Sequence, residues 1–357
     1  MHLSEIMRNR LSHCAGLFLA LTRRCPLSCA HCTTASSLAS GQYPDGPFRN
    51  IVDSFTPGDR PELIYMSGGE ALLRADLVRD LAERARESGT RSVVLSGMYF
   101  ARRHEGLTPA LRRAISAVDH FAASLDVFHE REVSRRDVFD HLHKIREIVA
   151  GVSMQLTGLG DDDPYILKLV RDIRAEFNDE VPILVGRVGR SGRARDWLDE
   201  PAPEVAHSGL EPCFLATWPL VHYDGTVFAC CNQELAARTS APHLVLGDAG
   251  THSWTQIRHA SRERAVLRAI RLFGPHETRR RFGMAEGPDG FCANCSTLPA
   301  DAGSNEAMAE FFSRPGTFAL EEAIDTLART GSPETFGRQQ GIGSLGHLVT
   351  MGSRTLT

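Results

Sequence analysis

Cys25-Pro26-Leu27-Ser28-Cys29-Ala30-His31-Cys32 follows directly on the apolar run 15–21. Three thiols at C-x3-C-x2-C spacing can hold three irons of a [4Fe–4S] cluster and leave the fourth iron without a protein ligand. A zinc loop is the competing reading. Structural zinc wants four ligands, no fourth cysteine lies nearby, and His31 would have to serve at an unusually tight spacing. Position matters as much as spacing, because in strand–helix folds the chemistry gathers at the carboxyl ends of strands.

Outward from that loop, short apolar runs recur at 63–66, 92–95, 120–125, 152–156 and 181–185. Segments of helical period separate them, among them 72–88 and 164–177. Six such alternations predict an α/β fold with a parallel sheet. The pattern breaks after the Gly/Arg-rich stretch 186–193 and the Pro-containing segment 199–212. A hairpin is then expected around Asp224-Gly225, a long helix from about Trp254 to Phe273, and a further helix or two over 305–328, broken at Pro315-Gly316. The Gly/Ser/Thr-rich remainder has few apolar anchors. The expected units are an N-terminal segment 1–14, a strand–helix domain 15–195, a small cysteine-bearing α+β domain 196–300, a helical segment 301–330 and a flexible tail 331–357.

The 357 residues are 42% hydrophobic, which excludes wholesale disorder, and a net charge of −4 disfavours a nucleic-acid binder. The run 15–21 is too short to span a bilayer and leads into Arg23-Arg24, not a small-residue cleavage site, so no membrane partner and a cytoplasmic location are expected. Nine cysteines, odd in number and clustered, fit metal ligation better than a disulfide framework.

Met66-Ser67-Gly68-Gly69-Glu70 follows the second run. Its glycines permit close backbone approach, and its carboxylate can answer an ammonium group. In this order, each at a strand end, the two motifs resemble the radical S-adenosylmethionine (SAM) superfamily, over about 15–190. The resemblance implies a partial (βα)6 barrel in which Cys25, Cys29 and Cys32 ligate a SAM-binding [4Fe–4S] cluster. His31 would stand beside the adenine, and Gly68, Gly69 and Glu70 would hold the methionyl ammonium. SAM would be cleaved to a 5′-deoxyadenosyl radical, with electrons from a reductant such as flavodoxin or ferredoxin. By the same resemblance Ser124 and Asp126, which end the fourth run, contact SAM or substrate.

Other positions stay open. His129 and Glu130 face substrate or begin a solvated helix; Gln155, Arg187 and Arg193 are contacts, or for the two arginines plain surface charges. Asp161-Asp162-Asp163-Pro164 reads better as a helix N-cap than as a metal site. Cys213, Gly225, Cys230 and the pair Cys292/Cys295 resemble the auxiliary-cluster domain of the SPASM/twitch type, in its shorter one-cluster form. These four cysteines would then hold one auxiliary [4Fe–4S] cluster, although a structural zinc site with four cysteine ligands needs the same residues. Cys14 reads as a buried apolar residue. Cys231 is a hydrogen donor to a substrate radical, an inert neighbour, or the ligand in place of Cys230.

The function expected is hydrogen abstraction followed by dehydrogenation or epimerisation of a small natural product of the aminocyclitol or sugar type. A small molecule is preferred because the cluster loop begins at residue 25, with no room in front for a peptide-binding domain. The alternatives are a peptide maturase that epimerises or cross-links a ribosomal peptide, and a zinc-stapled binding protein without radical chemistry.

Overall fold

The computed structural model describes residues 1–102, 106–198, 211–232, 241–298 and 302–353. Most of segment 199–212 lies outside the described residues. The chain builds one mostly parallel, open sheet. Its six leading strands are β1 (Gly16–Ala20), β2 (Leu63–Ser67), β3 (Arg91–Ser96), β4 (His120–Ser124), β5 (Val152–Gly158) and β6 (Ile183–Arg187). They pair in sequence order, all parallel. Helices α2 (Gly46–Asp53), α3 (Ala75–Glu87), α4 (Pro109–Ala117), α5 (Arg135–Arg146) and α6 (Pro164–Phe177) make the connections. α6 starts where Asp163 accepts the amides of Tyr165 and Ile166, with Pro164 at the first helical position, so the Asp-Pro pair is a cap.

Both faces of this sheet are apolar, which is why its strands read as continuous runs. Leu17, Leu19, Ile64, Met66 and Val94 pack with the helices in one core. The alternate residues Phe18, Leu63, Tyr65, Val93, Leu95 and Leu184 form a second core with Trp218. The elements that fill this second face come from the two ends of the chain. From α1 (Leu3–Arg10) come Leu3, Ile6 and Met7; from the C-terminal segment come Phe336 and Val349. The ends also meet directly, His2 Nε2 lying 3.0 Å from the Met351 carbonyl.

The 331–357 segment is therefore not the loose tail expected. Residues Glu334–Gln340 form a helix and Gly343–Thr350 a 3-10 turn series. The Ile342 amide donates to Val185 at 3.1 Å, and Ile342, Leu345, Leu348 and Val349 are buried. Few apolar anchors suffice because nearly all of them are used. Residues 354–357 lie outside the described part.

The hairpin at Asp224-Gly225 is present, with Gly225 at φ +93°. β7 (Leu220–Val221) lies parallel on β1, and β8 (Thr226–Phe228) and β9 (Val245–Asp248) follow antiparallel. The cysteine-bearing unit thus continues the sheet at the edge of β1. The long helix expected over 254–273 is two, Trp254–Glu263 and Ala265–Phe273. Arg264 between them is extended (ψ 115°) and its guanidinium reaches the Val245 carbonyl. The break expected at Pro315-Gly316 separates helices Ala302–Ser313 and Pro315–Thr330. Among the described residues, no helix is long and apolar enough to cross a membrane.

Candidate active site

A cavity of about 480 Å³ opens at the carboxyl ends of the parallel strands. Cys25, Cys29, His31 and Cys32 line it from the loop after β1, and Gly68, Gly69 and Glu70 from the loop after β2. Ser124 and Arg187 reach it from the ends of β4 and β6, Gln155 from the middle of β5, and His129 from the loop after β4. Residues spread over more than 160 positions of sequence are thus brought to one place. Asp126, Glu130 and Cys231 are not among the lining residues.

The two glycines have a use the sequence did not reveal. The Gly69 amide donates to Thr22 at 2.6 Å and that of Glu70 to Arg24 at 2.9 Å. A Cβ on Gly69 would lie 2.4 Å from the Arg24 carbonyl oxygen, and one on Gly68 (φ +135°) 2.4 Å from that of Thr22. The pair joins the two motif loops backbone to backbone.

Glu70 is buried and accepts from Leu72 N–H (3.0 Å), Ser96 Oγ (3.1 Å) and Gly97 N–H (2.9 Å). Burial still pushes its pKa up to about 7, against those bonds. A folded pKa above the unfolded 4.5 means the folded protein binds the extra proton, so this group's contribution to stability is full at low pH and is lost as pH rises from 4.5 through 7. In the ligand-free protein, Glu70→Gln is expected to flatten the fall in melting temperature across that window. An unchanged difference between the two proteins at both ends of it would refute the assignment.

The three cluster-loop thiols do not all lie within 4.8 Å of one another. Four sulfurs around one zinc stand about 3.8 Å apart, so the three thiols as placed are not drawn up around a single ion. Burial pushes the Cys25 thiol up to about 12, and the neighbouring charges of Glu70, Cys29 and Cys32 add to that. At Cys32, hydrogen bonds from Thr34 and Ser36 and the Arg193 charge outweigh burial and lower the pKa.

The segment after β6 latches this loop. Arg193 donates from Nε to the Cys29 carbonyl (2.9 Å), from Nη1 to Ser36 (2.8 Å) and from its amide to Cys32 (3.0 Å). Trp197 Nε1 donates to Ala30 at 2.9 Å. Gly192, at φ +51°, has no room for a side chain, since a Cβ would stand 2.1 Å from the Cys32 carbonyl oxygen. Arg193 is accordingly not a plain surface charge. Arg187 stays half exposed, 3.8 Å from Asp161.

Asp126 is buried between two imidazoles, 3.0 Å from His129 Nδ1 and 3.5 Å from His31 Nε2. Among the described residues, these three form the one His/Cys/Asp/Glu group whose ligand atoms all lie within 4.8 Å of each other. The Asp126 carboxylate also caps the following turn, accepting from the amides of Phe128 and His129. Burial works against charge on His129, but the Asp126 carboxylate 3.0 Å away prevails and raises its pKa to about 10. Burial instead lowers that of His31 to about 4. The His31 ring lies against Phe128, centroids 4.7 Å apart. Glu130 turns to Arg135 and Tyr165, away from the cavity, and Gln155 bonds the Tyr65 hydroxyl.

The second cysteine set also gathers. Cys213, Cys230 and Cys295 are buried, and each feels the charge of others in the set with Cys292. Burial pushes Cys213 up to about 12, and Cys230 and Cys295 upward too. No three of these sulfurs close to within 4.8 Å. Arg279 fixes the turn that carries Cys292 and Cys295 through Asn294 and Thr297. Cys231 instead takes the guanidinium of buried Arg10, whose Nη2 lies 2.9 Å from its sulfur. Cys14 is buried, as expected.

Sequence reasoning missed the walls from the far C-terminus, Phe336, Gly337 and Gly341, together with Leu215. None of them carries a chemical signature. Gly192, inside the Gly/Arg-rich stretch at a strand end, and Trp197, just after it, were the one available signal for the latch.

Comparison with known proteins gives likenesses of two kinds. Residues 19–173 match the model of a family described as the radical SAM superfamily. Among solved structures, the fold is similar to that of BtrN in complex with AdoMet and 2-DOIA. The likeness has a TM-score of 0.45 and 14% identity, and covers 72% of this chain and 87% of that one. No curated protein matches in sequence.

Proposed function

Since the chain belongs to the radical SAM superfamily through residues 19–173, we propose that it dehydrogenates a small hydroxylated natural product of the aminocyclitol or sugar type. The family implies a [4Fe–4S] cluster, SAM and a reductant. In this reading Cys25, Cys29 and Cys32 hold the SAM-cleaving cluster, and Cys213, Cys230, Cys292 and Cys295 an auxiliary one. When bound, the first cluster would supply the electron that splits SAM into methionine and a 5′-deoxyadenosyl radical, and the second would accept the electron that the substrate radical gives up as it loses a proton to solvent and becomes the oxidised product.

The chain's own groups have separate tasks. Glu70 receives the methionyl ammonium and gives up its proton to do so. His31, held by Asp126 and Phe128, offers a flat uncharged ring to the adenine. Ser124, Gln155 and Arg187 offer neutral and cationic hydrogen-bond donors to ribose, carboxylate or substrate hydroxyls. The observation that carries the reading is the meeting of both motif loops in one cavity of about 480 Å³, within the range that small-molecule sites occupy. Dehydrogenation is favoured over epimerisation because Cys231 is turned to Arg10, and an epimerase needs a hydrogen donor beside its substrate radical.

Anaerobic reconstitution is expected to give roughly eight irons per chain and 5′-deoxyadenosine under dithionite. Colourless protein with bound zinc and no SAM cleavage would support a zinc-stapled binding protein instead. In D2O, a dehydrogenated product is two hydrogens lighter and carries no solvent deuterium at the abstracted position. Deuterium there would point to epimerisation, and labelled or cross-linked peptide to a maturase. Cys231→Ala is expected to leave the product and its isotopic content unchanged; loss of turnover with intact clusters would return Cys231 to the chemistry.

A further inference from the structure

Asp126 is only 1% exposed, and among the described residues no arginine or lysine pairs with it. Its Oδ1 is in use, accepting from the amides of Phe128 and His129 at 2.9 and 3.0 Å. Its Oδ2 is buried and has no hydrogen-bond partner. A buried carboxylate in that setting is costly unless a cation is held against it. The candidates for holding one are two imidazoles, with His129 Nδ1 3.0 Å from Oδ1 and His31 Nε2 3.5 Å from Oδ2. Closeness is not bonding here. Despite its 3.0 Å approach, His129 Nδ1 is buried without a hydrogen-bond partner, because the ring's N–H direction misses the oxygen.

Polar atoms that stand this close without bonding one another suit a shared third partner. Nitrogen and oxygen ligands at about 2.0–2.1 Å from a tetrahedral zinc stand about 3.3–3.4 Å from each other. The two observed separations, 3.0 and 3.5 Å, lie on either side of that value. All three ligand atoms fall within 4.8 Å of one another, a condition the cysteine loop does not meet. Two imidazoles and one carboxylate suit zinc or ferrous iron, whereas calcium and magnesium take oxygen ligands.

We propose that His31, Asp126 and His129 bind one divalent transition-metal ion, which ties the cysteine loop to the turn after β4. His31 stands between Cys29 and Cys32, and the other two residues follow the end of β4 at Ser124, so one ion joins the two segments. It takes over from the His129 proton as the partner of the carboxylate. Coordination uses the edge of the His31 ring and leaves a face of it to the adenine. The ion lies behind the cavity wall. Asp126 does not line the cavity, and the His129 nitrogen turned towards it is the other one, Nε2, 3.7 Å from where a Cβ on Gly97 would stand. The role is therefore structural, and with three protein ligands the fourth position goes to water. The inference goes beyond the proposed function and needs neither cluster nor SAM.

The test adds zinc to the anaerobically reconstituted full chain, removes loosely held metal, and records X-ray absorption at the zinc edge. Zinc is the probe because it outranks ferrous iron at such ligands. About one zinc per chain is expected, with nitrogen and oxygen neighbours at about 2.0–2.1 Å, imidazole among them, and no sulfur shell near about 2.3 Å. His31→Phe keeps a ring against Phe128, and Asp126→Asn keeps an oxygen for the two amides. Each is expected to weaken zinc binding by more than the roughly 10–100-fold that loss of an outer-shell partner costs. Zinc is also expected to raise the melting temperature of the wild type and not that of the variants. Zinc surrounded by sulfur alone, no retained zinc, or an imidazole shell that persists in His31→Phe overturns the inference, while iron content and SAM cleavage still decide the proposed function. If Asp126→Asn does not fold, His31→Phe decides in the same direction. A chain that takes up no iron but holds zinc on imidazole overturns the proposed function and leaves this site standing.

Discussion

Gly69→Ala is expected to abolish SAM cleavage and to strip most of the iron from the first cysteine loop. The added methyl carbon would stand 2.4 Å from the Arg24 carbonyl oxygen and 2.8 Å from that of Arg23. Neither neighbour can yield cheaply. Both belong to backbone whose partners are already set, with the Gly69 and Glu70 amides bonded across the same junction. Relief of the overlap requires the two motif loops to part, at about 1–3 kcal/mol or more by analogy with overpacked cores. Separation of the loops moves Glu70 away from the cysteines, so cluster and SAM lose their common site. Gly46→Ala is the control. Nothing lies within 4 Å of its Cβ position, and the substitution is expected to leave iron content, melting temperature and SAM cleavage as they are. Full iron and activity in Gly69→Ala would show that the junction is not needed.

Arg193→Ala should have the next largest effect. It removes donors at 2.9 and 2.8 Å from the carbonyls of Cys29 and Ser36 but keeps the backbone bond to Cys32. Two charged hydrogen bonds to partly buried carbonyls are together worth about 3 kcal/mol, or roughly 4 °C in the melting of a chain of 357 residues. The loss falls on the loop that carries three cysteines, so iron is expected to leave the first site before the second. Arg193→Lys keeps a charge but not the two-armed geometry and should recover only part of the loss. Arg187→Ala, at a half-exposed position near Asp161, should leave cluster retention unchanged. Equal iron retention in Arg193→Ala and wild type would refute the latch.

These expectations separate what was legible from what was not. The cysteine loop and the Gly-Gly-Glu turn could be read because few other chemistries use such residues at such spacing. All six parallel strands were legible too, within a residue or two, since each is a short apolar run between breakers. The helix over 164–177 was found to the residue, because Asp163 and Pro164 mark its start and Ile166, Leu169, Val170, Ile173 and Phe177 repeat at helical spacing. Nothing in the sequence divides the helix expected over 254–273. Arg264 is a good helix former, yet its backbone is extended there and its side chain reaches the Val245 carbonyl.

The sequence by itself determined the alternation of strands and helices, the identity of the thiols and the strand ends where they stand. Those features are local and repeat with the period of the backbone. The tertiary structure decided what lies against what. Strands apolar on both faces say nothing about which side is filled by α1 and the C-terminal segment, so the walls at Phe336 and Gly341 stayed hidden. Donors such as Arg193 and Trp197 act on carbonyls far away in the chain. A hydrogen bond to backbone leaves no mark on the residue that accepts it. That is why two arginines six positions apart look alike in sequence, and only one of them holds the cysteine loop.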